Sequence, residues 1–77
     1  MASRKTPITG SVQNHIRRLR FDNDEMTQQE LADLIGATRQ TVHAIEKSKY
    51  APSLELAFKI AAAFNVPIQE VFWFERE

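Results

Sequence analysis

The chain contains no cysteine. That excludes a disulfide framework and any thiolate metal site, and it fits a reducing compartment. A domain of 77 residues must then be held by packing alone, or by packing against another subunit. Glycine is nearly as scarce, with only Gly10 and Gly36, so no glycine-rich phosphate loop can be built. No apolar run approaches the ~18 residues that a membrane span needs. The N-terminal stretch MASRKTPITGS has basic residues but no apolar segment after them, so residues 1–10 are expected to be a flexible arm and not a secretory signal. The two histidines, His15 and His43, fall in different segments with no carboxylates or thiols spaced around them, which argues against a metal site. No nucleophile, base and orienting group recur together, and Ser11, Ser48 and Ser53 sit at cap and turn positions. The expectation is a cytoplasmic, non-enzymatic domain with no cofactor and no membrane attachment.

Excess charge is also missing: ten Lys and Arg balance ten Asp and Glu. Nucleic-acid binders usually draw non-specific affinity from a positive surplus. The charges here are segregated, however. Residues 1–20 hold Arg4, Lys5, Arg17, Arg18 and Arg20 and no acid. Residues 21–33 hold Asp22, Asp24, Glu25, Glu30 and Asp33 and no base. Basic charge returns at Arg39, Lys47 and Lys49. One face can therefore be positive on a neutral molecule, with modest non-specific affinity.

What is present is helical punctuation. Val12, Ile16 and Leu19 recur at helical spacing, predicting a first helix that starts at Gly10 or Ser11 and ends in the polar loop 22–25. Thr27-Gln28-Gln29-Glu30 is a capping box that opens a second helix, with Met26 as a staple onto Leu31, an apolar stripe of Leu31, Leu34 and Ile35, and Gly36 as the stop. Thr38 caps a third helix with Val42 and Ile45 inward. Ser53 opens a fourth, buried through Leu56, Ala57, Ile60, Ala61 and Phe64 and stopped by Asn65. Pro67 opens a fifth, with Ile68, Val71 and Phe72 inward. The predicted fold class is all-α, five short helices with short connections.

Residues 28–47 carry the functional pattern. Two helices joined by a three- to four-residue turn cross steeply. The crossing needs a small residue, which Ala32 supplies. The turn needs a residue tolerant of positive φ, which Gly36 supplies. The third helix pins one side with Val42 and Ile45 and leaves Arg39, Gln40, Thr41, His43 and Lys47 on the other. Taken with the run that follows, TQQELADLIGATRQTVHAIEK and KYAPSLELAFKIAAAFNVPIQEVF resemble the Cro/CI-type (Xre) helix-turn-helix regulators of phage and bacteria in their short stand-alone form, over roughly residues 12–74. Departures are a loop Phe21–Met26 about one residue longer than the common pattern, Ser48 where glycine is frequent, and Pro67 where a cap residue is common.

The resemblance implies a compact five-helix, lambda-repressor-like DNA-binding domain over residues 11–77, with a helix-turn-helix core at 27–47. It implies a sequence-specific transcriptional regulator, a repressor, that inserts helix 39–47 into the major groove of a palindromic operator. Arg39 and Gln40 align with base-contacting positions, and their chemistry suits guanine O6/N7 and adenine N6/N7. His43 lies one turn on, and Ala44 matches a contacting position that would meet a thymine methyl. Gln28 matches a phosphate-contacting glutamine at a helix N-terminus; Thr38, Thr41, Lys47 and Lys49 are further phosphate candidates. Arg20 and Glu46 match a structural pair that holds the recognition helix. Arg4 and Lys5 give the arm charge to enter a neighbouring groove. A homodimer is implied because one such domain covers one half-site. Its candidate contacts are Phe72, Trp73 and Phe74, with Phe58 beside them, and residues 72–75 are expected to pair as a short strand with the partner's copy. The alternative is an antitoxin-like or protein-docking module using the aromatic tail; a purely structural bundle would leave the polar face of the third helix without a role.

Overall fold

A computed structural model describes residues 5–77. Arg4, one of the two arm residues expected near a groove, lies outside them. The element order is β1 (Gly10–Asn14), α1 (Ile16–Asp22), α2 (Gln28–Ile35), α3 (Arg39–Glu46), α4 (Leu54–Phe64), α5 (Ile68–Val71) and β2 (Phe72–Arg76).

The caps explain the middle helices. Thr27 Oγ1 accepts from the Glu30 N–H at 3.0 Å, and Glu30 Oε1 accepts from the Thr27 N–H at 2.9 Å, closing the capping box of α2. Thr38 and Ser53 accept from the N–H groups of Thr41 and Leu56, each at 3.1 Å. Gly36 (φ 69°) and Asn65 (φ 56°) end α2 and α4 in the left-handed conformation.

The fold is not all-α. β1 and β2 form a two-stranded antiparallel ribbon in which Gly10 pairs with Arg76, Val12 with Phe74 and Asn14 with Phe72. Val12 therefore belongs to a strand, and the first helix begins at Ile16. The Val12–Ile16–Leu19 spacing fits a helix stripe, but Asn14 ends the extended segment, its Oδ1 accepting from the Ile16 N–H at 3.1 Å. Just before α1, the His15 N–H is taken by the Val71 carbonyl at 2.9 Å. Gly10, given to the arm by its place in the sequence, is the first residue of the strand. The expected strand at residues 72–75 exists, and within the chain it pairs with β1. β-branched and aromatic residues favour this state, and their partner lies at the far end of the sequence.

Ile16, Leu31, Ala32, Ile35, Val42, Ile45, Ile60, Ala61, Phe64 and Val71 form one core among the described residues, with Leu19, Met26, Leu56, Ile68 and Phe72 packed around it. Leu34 departs from the predicted stripe and is exposed, lying along an open groove between α2 and α4 with Lys59, Ala62 and Ala63. Phe58, Trp73 and Phe74 do not close the core either.

Candidate nucleic-acid interface

The site is the pair α2–α3. Ala32 has no exposed surface at their crossing, so a larger side chain there would push the helices apart. A Cβ added at Gly36 would meet nothing within 4 Å; the glycine is needed for its positive φ alone. The Ala37 N–H then returns to the Ala32 carbonyl at 2.9 Å. This turn seats α3 with Val42 and Ile45 each 1% exposed, which aims the opposite face at solvent.

On that face Arg39, Gln40 and His43 are exposed and line one shallow depression. Ala44 is half-buried on the same helix. Gln28, the first residue of α2, reaches across to α3, its Nε2 lying 3.4 Å from His43 Nδ1. The Thr38 and Thr41 hydroxyls hydrogen-bond to each other at 3.0 Å. Lys47 is the C-cap residue of α3 and, like Lys49, is exposed. The helix itself spans 39–46, one residue shorter than the sequence reading.

Local charge is sorted by internal bonds. Glu30 accepts from the Thr27 backbone, Asp33 accepts from Gln29 Nε2 at 2.9 Å, and Glu46 is held by Arg20. Arg39, Lys47 and Lys49 take part in no ion pair among the described residues. Of these acids only Glu46 is turned inward, onto Arg20, while Glu30 and Asp33 stay exposed on α2. The cations Arg39, Lys47 and Lys49 face solvent on and just beyond α3, which makes that helix locally positive on a neutral chain.

Arg20 grips Glu46 with two parallel bonds, Nε to Oε2 at 2.7 Å and Nη2 to Oε1 at 3.1 Å, and its Nη1 donates to the Met26 carbonyl at 2.7 Å. One guanidinium so ties the end of α1, the loop before α2 and the end of α3 together. That loop absorbs its extra length with Asp24 (φ 58°) and Glu25 (φ 55°) both left-handed.

Two contributors escaped the sequence reading. Asn14 Nδ2 donates to the Ile45 carbonyl at 2.8 Å, at the end of α3. Ser48 (φ 57°) ends α3 in the left-handed conformation: its N–H returns to the Ile45 carbonyl at 2.9 Å and that of Lys49 to Ala44 at 3.0 Å. Its position where glycine is frequent was the available signal for Ser48; nothing local marks Asn14.

Among the described residues no group of three or more His, Cys, Asp or Glu could hold a metal ion, and no helix is long and apolar enough to cross a membrane.

The sequence profile of the Helix-turn-helix family matches residues 16–71. An HTH-type transcriptional regulator of Bacillus subtilis, YgzD, is 53% identical over 51 residues, covering 66% of this chain and 77% of that protein. The transcriptional repressor RstR of the cryptic phage CTXphi from Vibrio cholerae is 41% identical over 56 residues, covering 73% of this chain and 50% of that protein. A Bacteroides fragilis protein crystallised as a candidate DNA-binding protein superimposes with a TM-score of 0.70 at 24% identity, over 80% of this chain and 98% of that one, a likeness of fold.

Proposed function

The chain belongs to the Cro/CI-type (Xre) helix-turn-helix family of transcriptional regulators, and from that membership we propose that it is a repressor that binds a palindromic operator as a homodimer, with α3 in the major groove of each half-site. The observation that carries this reading is the two-sided character of α3: Val42 and Ile45 buried, Arg39, Gln40 and His43 together in solvent. A polar face of that composition, beginning at the N-terminal end of α3, matches major-groove readout.

In this reading Arg39 and Gln40 each make a bidentate base contact, His43 and Ala44 extend the contact along the groove, and Gln28, Thr38, Thr41, Lys47 and Lys49 hold phosphates and so fix register. Arg20, Glu46, Ala32 and Gly36 keep the two helices at their angle. Repression is supported by the relative named as a phage repressor. The homodimer is supported by the exposed Trp73 and Phe74 on the ribbon, which one copy leaves uncovered; Phe72 packs on the core beneath them. The protein works where the DNA is, in the cytoplasm at the nucleoid.

The test is selection from a random duplex pool at near-physiological salt, with wild type and with Arg39→Ala/Gln40→Ala. Wild type enriches two inverted half-sites about one helical turn apart, and the double variant does not. An unenriched wild-type pool would overturn the reading. A second reading, a protein-docking module, is favoured by Leu54 and Phe58, one turn apart on α4 and both exposed. It predicts that the pool stays unenriched.

A further inference from the structure

Asn14 stands at the junction of three elements. It is the last residue of β1, where it pairs with Phe72 of β2. Its Oδ1 accepts from the Ile16 N–H at 3.1 Å and so starts α1. Its Nδ2 donates in the other direction, to the Ile45 carbonyl at 2.8 Å and, at 3.5 Å, to that of Glu46. Carbonyls in the last turn of a helix need partners from outside it. Here one comes from the ribbon. The residue before Asn14 adds a second link: Gln13 Oε1 accepts from Ser48 Oγ at 3.3 Å, just beyond the end of α3, and Gln13 pairs with Trp73.

The ribbon and the C-terminal end of α3 are therefore bolted together through adjacent residues. The same end of α3 is gripped from its other neighbour, α1, by Arg20 on Glu46. Only a carboxamide of this length serves both bonds of Asn14, since it offers an acceptor and a donor on one short side chain.

We propose that Asn14 is a positioning residue for DNA recognition: it fixes α3 relative to the ribbon, so that the ribbon sets where each recognition helix meets its half-site. This rests on the operator-binding reading above. It adds that the spacing between half-sites is specified by a residue with no place in the groove. A side chain that only stabilised the fold would lower the melting temperature and leave spacing and specificity untouched. A positioning side chain alters them in protein that is still folded.

Two variants separate these roles. Asn14→Asp keeps the acceptor for Ile16 but removes the donor and sets a negative charge against the carbonyl end of α3. Asn14→Ser keeps a hydroxyl for the Ile16 N–H and is too short to reach Ile45. Both are run through the same random-pool selection as wild type, well below their own melting temperatures. Specific and non-specific Kd are measured alongside. Expected is the wild-type half-site sequence with a broadened spacing distribution, and a specific-over-non-specific ratio lowered by roughly 3- to 10-fold, the worth of one hydrogen bond. Wild-type spacing and an unchanged ratio in both folded variants would overturn the proposal and leave operator binding intact. A wild-type pool without enrichment would overturn operator binding and this proposal with it. If Asn14→Asp does not fold, Asn14→Ser decides alone.

Discussion

Arg20 and Glu46 meet side by side, Nε at 2.7 Å from Oε2 and Nη2 at 3.1 Å from Oε1, with side chains 16% and 7% exposed. A pair this enclosed behaves unlike the surface pairs Arg18–Asp22 and Lys59–Glu55, whose solvation leaves them worth little. Removing one partner strands the other.

Glu46→Ala is therefore expected to cost about 3 kcal/mol, which in a domain this size lowers the melting temperature by roughly 10 °C or more. Operator affinity falls as well, because the end of α3 loses its tie to α1. Glu46→Gln, whose amide oxygen still accepts from Arg20, recovers part of both. Thermal melts and operator titrations of the three proteins check this; equal melting temperatures and affinities for Glu46→Ala and wild type would refute it.

Ser48 holds a left-handed backbone without being glycine. Ser48→Gly relieves that strain by about 0.5–1 kcal/mol, against one exposed 3.3 Å bond to Gln13. A melting temperature a few degrees higher is expected. Ser48→Ala keeps the strain and loses the bond, so it should be no more stable than wild type. A Ser48→Gly melt below that of wild type would show that the Gln13 link outweighs the backbone.

Gly10 cannot carry a side chain where it stands. With φ at +154°, an added Cβ would press on the Glu75 carbonyl oxygen and lie 2.9 Å from Phe74 Cε2. Gly10→Ala should open the ribbon while the helices persist. Trp73, the single tryptophan, sits with its ring centroid 4.4 Å from that of His15 and reports the change directly. A red-shifted emission with unaltered helical circular dichroism is expected, together with loss of dimer in light scattering. Emission identical to wild type would mean that the strands tolerate the methyl group.

Phosphate and base contacts separate by salt. Lys47→Ala should weaken binding to all sequences alike and reduce the slope of log K against log salt by about 0.9. Arg39→Ala should instead relax preference at one base pair by about 1–3 kcal/mol. Titrations at several salt concentrations on matched and mismatched duplexes check both. A sequence-dependent loss in Lys47→Ala would reassign that lysine to base readout.

The parts of the fold that the sequence made legible are those whose cause is local. Thr27 and Glu30, Thr38 and Thr41, Ser53 and Leu56 each settle a helix start within one turn, and Gly36 and Asn65 mark ends by the conformation they tolerate. The ribbon was not legible, because the reason Val12 is extended is Phe74, across the whole bundle. Its helix-like spacing with Ile16 and Leu19 pointed the other way. The same divide runs through the candidate site. The polar face of α3 follows from the burial of Val42 and Ile45, and the family resemblance pointed to Arg20 with Glu46. The Gln28–His43 contact and the Asn14 link depend on how elements are set against each other, which no spacing in the sequence encodes.

The pairing of β1 with β2 also orders events in time. The helix caps and the α2–α3 turn form from neighbours in sequence and close small loops; the ribbon must close a loop containing every helix, and that entropy is recovered only when both strands are in register. The ribbon is therefore expected to assemble last and to open first. Since Asn14 fastens the end of α3 to it, that one tie on α3 closes only when the far ends of the chain have met, and its lifetime is the lifetime of the ribbon.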